Sequence, residues 1–329
     1  MQTIGIIGAG AWGTALALVA ARAGKNVVLW AREPEVVESI REKKENILFL
    51  PGVTLTENIR PTSDITEALK ESSAVLLTLP AQHLREVCAS LAPVWPEGLP
   101  AVICSKGIEQ KTGALMSEIL ADVLPQAPVA VLSGPTFAHE AALERPTAVT
   151  LACTDERLGE NLVEALGTLS FRPYYSADII SVQIGGAVKN VMAIAAGIVE
   201  GKKLGDNARA ALITRGLAEI SRLAEAMGGN PKTLMGLSGL GDLVLTANST
   251  QSRNFTVGVA LGEGKTLNEV LEGRNSVAEG VYTASAVLER AAKAGVEMPI
   301  CEGLERIFEG TPVDNVLHTL LSRPFRAEI

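Results

Sequence analysis

Near the start of the chain, Gly8-Ala9-Gly10-Ala11-Trp12-Gly13 have the types and spacing to cradle a pyrophosphate. Gly8 permits a tight turn, Gly10 lets backbone approach the phosphates, and Gly13 lets a helix pack closely on a strand. A helix opening behind Gly10 turns free N–H groups and its positive dipole end towards the anion. Glycine turns without ligands also carry this pattern, so context decides. Thr3–Ile7 reads as a buried strand, residues 13–23 as a helix closed by Gly24, and Asn26–Trp30 as a second strand. An acid at the end of that second strand would bind the ribose hydroxyls of NAD. The chain instead has Trp30-Ala31-Arg32 there, and an arginine can bond a 2′-phosphate bidentately. Glu33, beside Pro34, reads as the start of the next helix. The expected cofactor is NADP(H), with NAD(H) as the alternative; a solvated surface charge is the plainer reading of Arg32.

A second set of candidates lies past the midpoint. Lys189 falls in Gly185-Gly186-Ala187-Val188-Lys189-Asn190, and the helical pattern continues as Val191-Met192-Ala193-Ile194-Ala195-Ala196-Gly197. A lysine there either snorkels out of the helix or is buried. Burial would lower its pKa towards neutrality, where it can exchange a proton. Gly239-Leu240-Gly241-Asp242 offers a carboxylate that orients Lys189, bonds a substrate hydroxyl, or serves only as an N-cap. Ser252-Arg253-Asn254 reads as an anion clamp at a helix start, or as a capped and exposed helix start. Hydride transfer to a ketone builds negative charge on the carbonyl oxygen, and a protonated lysine stabilises it and donates the proton. Lys106 would add a second positive charge, which lowers the pKa of Lys189 further.

These residues need a scaffold, and the chain alternates strand and helix over its first half. Strand-like runs recur at 74–79, 101–104, 129–132 and 148–152, and helical patterns at 34–44, 82–91 and 113–124. From residue 179 strand patterns almost vanish, and 207–227, 283–294 and 313–321 read as helices. The expected architecture is an α/β N-terminal domain over residues 1–178, a Rossmann-type, doubly wound, mostly parallel sheet. An all-α C-terminal domain over 179–329 follows. With 47% hydrophobic and 20% charged residues the profile is globular. The net charge of −8 argues against a nucleic-acid partner but leaves room for a small anionic ligand. The four cysteines form no CxxC pair and read as buried thiols; three scattered histidines make a metal site unexpected. The apolar run at 15–21 lacks a preceding Lys or Arg, and no stretch reads as reaching the ~18 apolar residues of a membrane span. Cytoplasm is the expected compartment.

The chain resembles the bacterial NAD(P)-dependent glycerol-3-phosphate dehydrogenases over essentially its full length. The resemblance rests on residues 8–15, Ser105-Lys106-Gly107, Ser133-Gly134-Pro135-Thr136-Phe137-Ala138, residues 185–190, Gly239-Leu240-Gly241-Asp242, Ser252-Arg253-Asn254 and Glu279-Gly280. It implies that Gly8, Gly10, Ala11, Trp12, Gly13, Arg32, Ala138, Val277 and Glu279 line the cofactor site. It implies that Lys106 and Arg253 contact both cofactor and substrate. Gly134, Thr136, Asp242, Ser252 and Asn254 would hold glycerol phosphate, and Lys189 would be the proton acceptor. It further implies interconversion of sn-glycerol 3-phosphate and dihydroxyacetone phosphate, supply of phospholipid backbone, and a homodimer. Ala81 departs from the pattern, in which serine is common after Pro80. Ketopantoate reductases and 3-hydroxyacid dehydrogenases share the build, but the latter expect asparagine where Ala193 stands. A catalytically dead dinucleotide sensor would not need Lys189, Asp242 and Arg253 together.

Overall fold

The computed structural model describes residues 1–272 and 278–324. Ten strands are formed: β1 Thr3–Ile7, β2 Asn26–Trp30, β3 Glu45–Asn46, β4 Leu50–Thr54, β5 Ile59–Thr62, β6 Ala74–Leu77, β7 Ala101–Ile103, β8 Val129–Ser133, β9 Thr147–Cys153 and β10 Phe171–Ser176. Eight of them build one sheet in the order β10-β9-β8-β7-β6-β1-β2-β5, and β3 with β4 forms a small hairpin. The six strands from β8 to β5 are parallel, while β9 pairs antiparallel with β8 and β10 runs parallel to β9. Helices cover both faces. Ile4, Ile6, Leu76 and Val102 feed one core. Their neighbours Ile7, Val75, Leu77 and Ile103 feed the other, as period-two side chains must. This explains the nearly unbroken apolar runs of the central strands.

The expected strands and helices are present with shifted ends. The first helix begins at Ala11, because Gly10 serves as its N-cap. The expected 82–91 helix is a 3₁₀ turn Ala81–His83 followed by Leu84–Leu91. The edge strands β5 and β10 were not expected. Each carries a proline, Pro61 and Pro173, which cannot donate to a ladder and is confined to edges. From residue 179 no strand is formed among the described residues. Asp178 caps the long helix Ile179–Gly201 by accepting from Ser181 N at 2.9 Å.

That helix corrects one expectation. It is long and apolar enough, by length and composition, to cross a membrane, yet its apolar window is entirely buried within the protein. It is the axis of the helical half. Helix Arg253–Gly262 crosses it through glycines. A Cβ on Gly197 would stand 2.1 Å from Phe255 O, and one on Gly258 would stand 1.9 Å from Ile194 O. Neither position admits a side chain without separating the backbones. All four cysteines are free and buried, as their spacing implied. Because Ile194 O belongs to helix backbone and cannot swing aside, Gly258→Ala should cost about 1–3 kcal/mol by overpacking. Urea unfolding would check this; an unchanged midpoint would mean that the two helices slide apart freely.

Candidate active site

The glycine turn after β1 is shaped by close contacts. Gly8 has φ +115°, in the left-handed region that favours glycine. A Cβ on Gly13 would lie 1.9 Å from Gly8 O, so only glycine lets helix Ala11–Arg22 pack onto the turn. A Cβ on Gly10 would meet nothing within 4 Å. The space in front of Gly10 is therefore open, and no side chain caps the helix N-terminus behind it. A recess of this kind suits a pyrophosphate, with Ala11 and Trp12 half-buried at its edge. Arg32, 78% exposed, leaves β2 and bonds Glu33 Oε1 through Nε at 3.1 Å and Nη2 at 2.8 Å. An exposed pair is weak, so a phosphate can replace the carboxylate.

Lys106 enters from the loop after β7. Ser105 Oγ donates to Leu79 O at 2.5 Å and fixes the loop. Gly107 takes φ +155°, and a Cβ there would stand 2.7 Å from Ala81 Cβ. Lys106 Nζ donates to Gly134 O at 3.0 Å and to Asp242 Oδ2 at 2.5 Å. From the other side, Lys189 Nζ donates to Asp242 Oδ1 and to Thr246 Oγ1, both at 2.8 Å. Asp242 is fully buried, and Lys189 is 7% exposed. The snorkelling and N-cap alternatives therefore fail. Asp242 is the first residue of helix Asp242–Ala247, and its carboxylate bridges two ammonium groups.

Small residues make this approach possible. A Cβ on Gly185 would lie 2.6 Å from Ser238 O, and one on Gly186 would lie 2.8 Å from Ser133 Oγ and 3.5 Å from Lys106 Cγ. Burial pushes the Lys189 ammonium down to about 8; Asp242 opposes this, and Lys106 adds to it. Each ammonium carries three donors, and each uses two on protein. Among the described residues one N–H per lysine has no further acceptor, which leaves it for a ligand oxygen.

The remaining candidates separate into groups. Gly134 is buried with φ +152°, and Thr136 Oγ1 donates to its carbonyl at 3.2 Å. Ala138 is half-buried at the start of the short helix Ala138–Ala142. Ser252 does cap helix Arg253–Gly262, accepting from Phe255 N at 3.2 Å. Arg253 is exposed, while Asn254 is buried between Asn190 Oδ1 and Gly280 N, each 3.0 Å away. Glu279 has an oxygen, Oε2, buried without a partner among the described residues. Burial raises its pKa, and the Ala81 N–H and Arg253 oppose that shift. Ala81 thus acts through its backbone, which its departure from serine leaves intact. Val277 lies outside the described residues. Two residues escaped the sequence reading. Thr246, four positions after Asp242, shares its helix face and completes the Lys189 cradle. Asn190 orients Asn254.

Removing the bridging carboxylate would strand two positive charges. Asp242→Asn should lower the Lys189 pKa further, since the carboxylate is what raises it. It should cost about 3–5 kcal/mol of stability at neutral pH. The deficit should shrink towards pH 9.5, where Lys189 is neutral in the parent protein as well. Urea melts at pH 7 and 9.5 measure both; equal stability at pH 7 would contradict the bridge.

Residues 3–159 match the model for the N-terminus of NAD-dependent glycerol-3-phosphate dehydrogenase, and residues 178–318 match the model for its C-terminus. The glycerol-3-phosphate dehydrogenase [NAD(P)+] of Parvibaculum lavamentivorans is 60% identical over 99% of this chain and 98% of its own length. That of Rhodospirillum rubrum is 59% identical over 99% of this chain and 93% of its own. The crystal structure of glycerol-3-phosphate dehydrogenase from Coxiella burnetii superposes with TM-score 0.93 at 40% identity, covering 98% of this chain and 99% of that one. A ketopantoate reductase from Ralstonia eutropha shares the fold alone, at 17% identity over 96% of this chain and 100% of that one, TM-score 0.62. The chain belongs to the NAD-dependent glycerol-3-phosphate dehydrogenase family.

Proposed function

We propose that this chain is an NAD(P)-dependent oxidoreductase that interconverts sn-glycerol 3-phosphate and dihydroxyacetone phosphate. The observation that carries the reading is the Asp242 bridge, which buries Lys189 and poises it near pH 8 beside a second lysine. When bound, the nicotinamide takes or supplies the hydride. Every other task falls to the chain's own groups. Lys189 accepts the hydroxyl proton of glycerol phosphate and returns it to the carbonyl oxygen in reduction. Lys106 stabilises charge developing on that oxygen. Asp242 and Thr246 hold the Lys189 amine in place.

Arg253, at a helix N-terminus, supplies charge for the substrate phosphate, with Ser252, Asn254, Gly134 and Thr136 around it. Gly8, Gly10, Ala11, Trp12 and Gly13 cradle the pyrophosphate; Ala138, Val277 and Glu279 complete the cofactor site with Lys106 and Arg253. The same reading divides the chain at residue 178 into a nucleotide domain, 1–178, and a helical substrate domain, 179–329. The family resemblance supports a cytoplasmic homodimer that supplies glycerol 3-phosphate for phospholipids. NADPH oxidation tests the assignment: turnover is expected with dihydroxyacetone phosphate and not with ketopantoate, and the reverse would overturn it.

Cofactor choice follows from Arg32. Arg32→Ala should weaken NADPH binding by about 1.5–3 kcal/mol, the range for charge-assisted bonds, and leave NADH nearly unchanged. Equal losses for both would show that Arg32 does not read the 2′-phosphate.

Proton transfer follows from Lys189. Oxidation needs the neutral amine, so its rate should rise with pH through about 8, and the reductive rate should fall over the same interval. Lys189→Met keeps the bulk and removes the proton carrier. It should cost roughly 10²–10⁴-fold in turnover with cofactor affinity unchanged. Steady-state kinetics from pH 6.5 to 9.5 would settle it. A variant keeping more than about a tenth of its turnover, well above that range, would redirect attention to Lys106.

A further inference from the structure

Asn46 is a fully buried polar residue outside the glycine motif, and it touches that motif directly. It ends β3, and its amide makes three hydrogen bonds. Nδ2 donates to Ala9 O and to Thr14 Oγ1, both at 2.8 Å. Oδ1 accepts from Phe49 N at 3.1 Å. Thr14 Oγ1 also donates to Ala9 O, at 3.3 Å. Two donors therefore hold the Ala9 carbonyl towards the protein interior.

The peptide plane turns this into a statement about Gly10. In a trans peptide the carbonyl of one residue and the N–H of the next point in opposite directions. Holding Ala9 O inward aims Gly10 N–H the opposite way, and a Cβ on Gly10 would meet nothing within 4 Å, so the residue itself stands open. Among the described residues that N–H has no acceptor. We propose that Asn46 is a positioning residue for dinucleotide binding, which fixes the Ala9–Gly10 peptide so that its N–H faces the pyrophosphate. Its other end fastens the turn between β3 and β4 to the same peptide. The tip of that turn, Ile47, Leu48 and Phe49, is exposed and apolar. Ser39 Oγ steadies the turn from the helix Pro34–Lys43 by donating to Glu45 O at 2.7 Å.

The inference rests on the nicotinamide-dinucleotide reading above, and ligand binding tests it without turnover. Purified protein is titrated with NADPH, followed by ligand fluorescence, and with adenosine 2′-phosphate, which lacks a pyrophosphate. Asn46→Ala should weaken NADPH about tenfold, the equivalent of losing a hydrogen bond from an N–H to a charged acceptor. Adenosine 2′-phosphate should stay within about twofold, a change too small to reflect a lost bond. The KM for dihydroxyacetone phosphate should likewise hold. Asn46→Asp keeps the acceptor for Phe49 N and loses both donors, so it should show the same pattern even if Asn46→Ala fails to fold. Thr14→Val removes the second donor to Ala9 O and one acceptor of Asn46 Nδ2 but leaves the Asn46 bond to Ala9 O, so it should give a smaller loss for NADPH alone. A folded Asn46 variant that binds NADPH like the parent overturns the proposal. Equal weakening of both ligands overturns it too, since a generally damaged domain would do the same. Parent protein that binds NADPH but leaves dihydroxyacetone phosphate unreduced would overturn the proposed reaction and leave this comparison intact.

Discussion

A carboxylate with no exposed surface, held between two ammonium groups, is the constraint around which the structure is arranged. Taking three charges out of water is expensive unless each finds partners at good geometry. Asp242 meets this by offering one oxygen to each lysine, while Thr246 and Gly134 O take further donors. The partners come from three places: the loop after β7, the middle of the long helix and the start of a short one. Their backbones must approach closely, so glycine recurs at each approach. Gly107 lets the Lys106 loop pass Ala81, Gly186 makes room for the Lys106 stem, and Gly185 admits the turn before Asp242.

The apolar character of helix Ile179–Gly201 has the same origin. A helix buried on every side reads as hydrophobic all round, and this one resembles a membrane span for that reason alone. Setting Lys189 in it removes water from the amine and draws its pKa down, while Asp242 pulls it back up. Neither influence alone would serve a reversible reaction. Burial without the carboxylate would leave an amine too weakly basic to stay protonated; the carboxylate without burial would hold the proton too firmly. A value near 8 makes both protonation states accessible near neutral pH.

The sequence made the fold legible where physical signals are local. The glycine turn, the central strands and the Lys189 helix announce themselves through spacing and apolar runs. The edge strands β5 and β10 did not, because Pro61 and Pro173 suppress the strand pattern in exactly the positions where edges tolerate proline. Site residues divide similarly. Lys189 was legible as a charge in apolar surroundings, and Asp242 as a carboxylate to orient it, to bond a substrate hydroxyl or to cap a helix. Which of these roles Asp242 takes was not legible, because 53 positions separate it from Lys189 and only the fold brings the two to 2.8 Å. Asn46 was invisible for a further reason: an asparagine among ordinary polar neighbours gives no sign of burial until the glycine turn packs on it.

Charge balance ties the site to its proposed substrate. Two lysines and one aspartate leave a single net positive charge, and Arg253 at the helix start adds another, near the Glu279 carboxyl, which burial pushes towards its neutral form. A phosphate monoester carries close to two negative charges at neutral pH. Such a ligand offsets these charges, whereas an uncharged triose would leave Arg253 without the phosphate and the two lysines with Asp242 alone. The protein as a whole is acidic, with net charge −8. Its bulk surface does not favour anions, and selection for a phosphorylated substrate must come from these few cations acting at short range, with low dielectric keeping the field around the buried Lys189 unscreened.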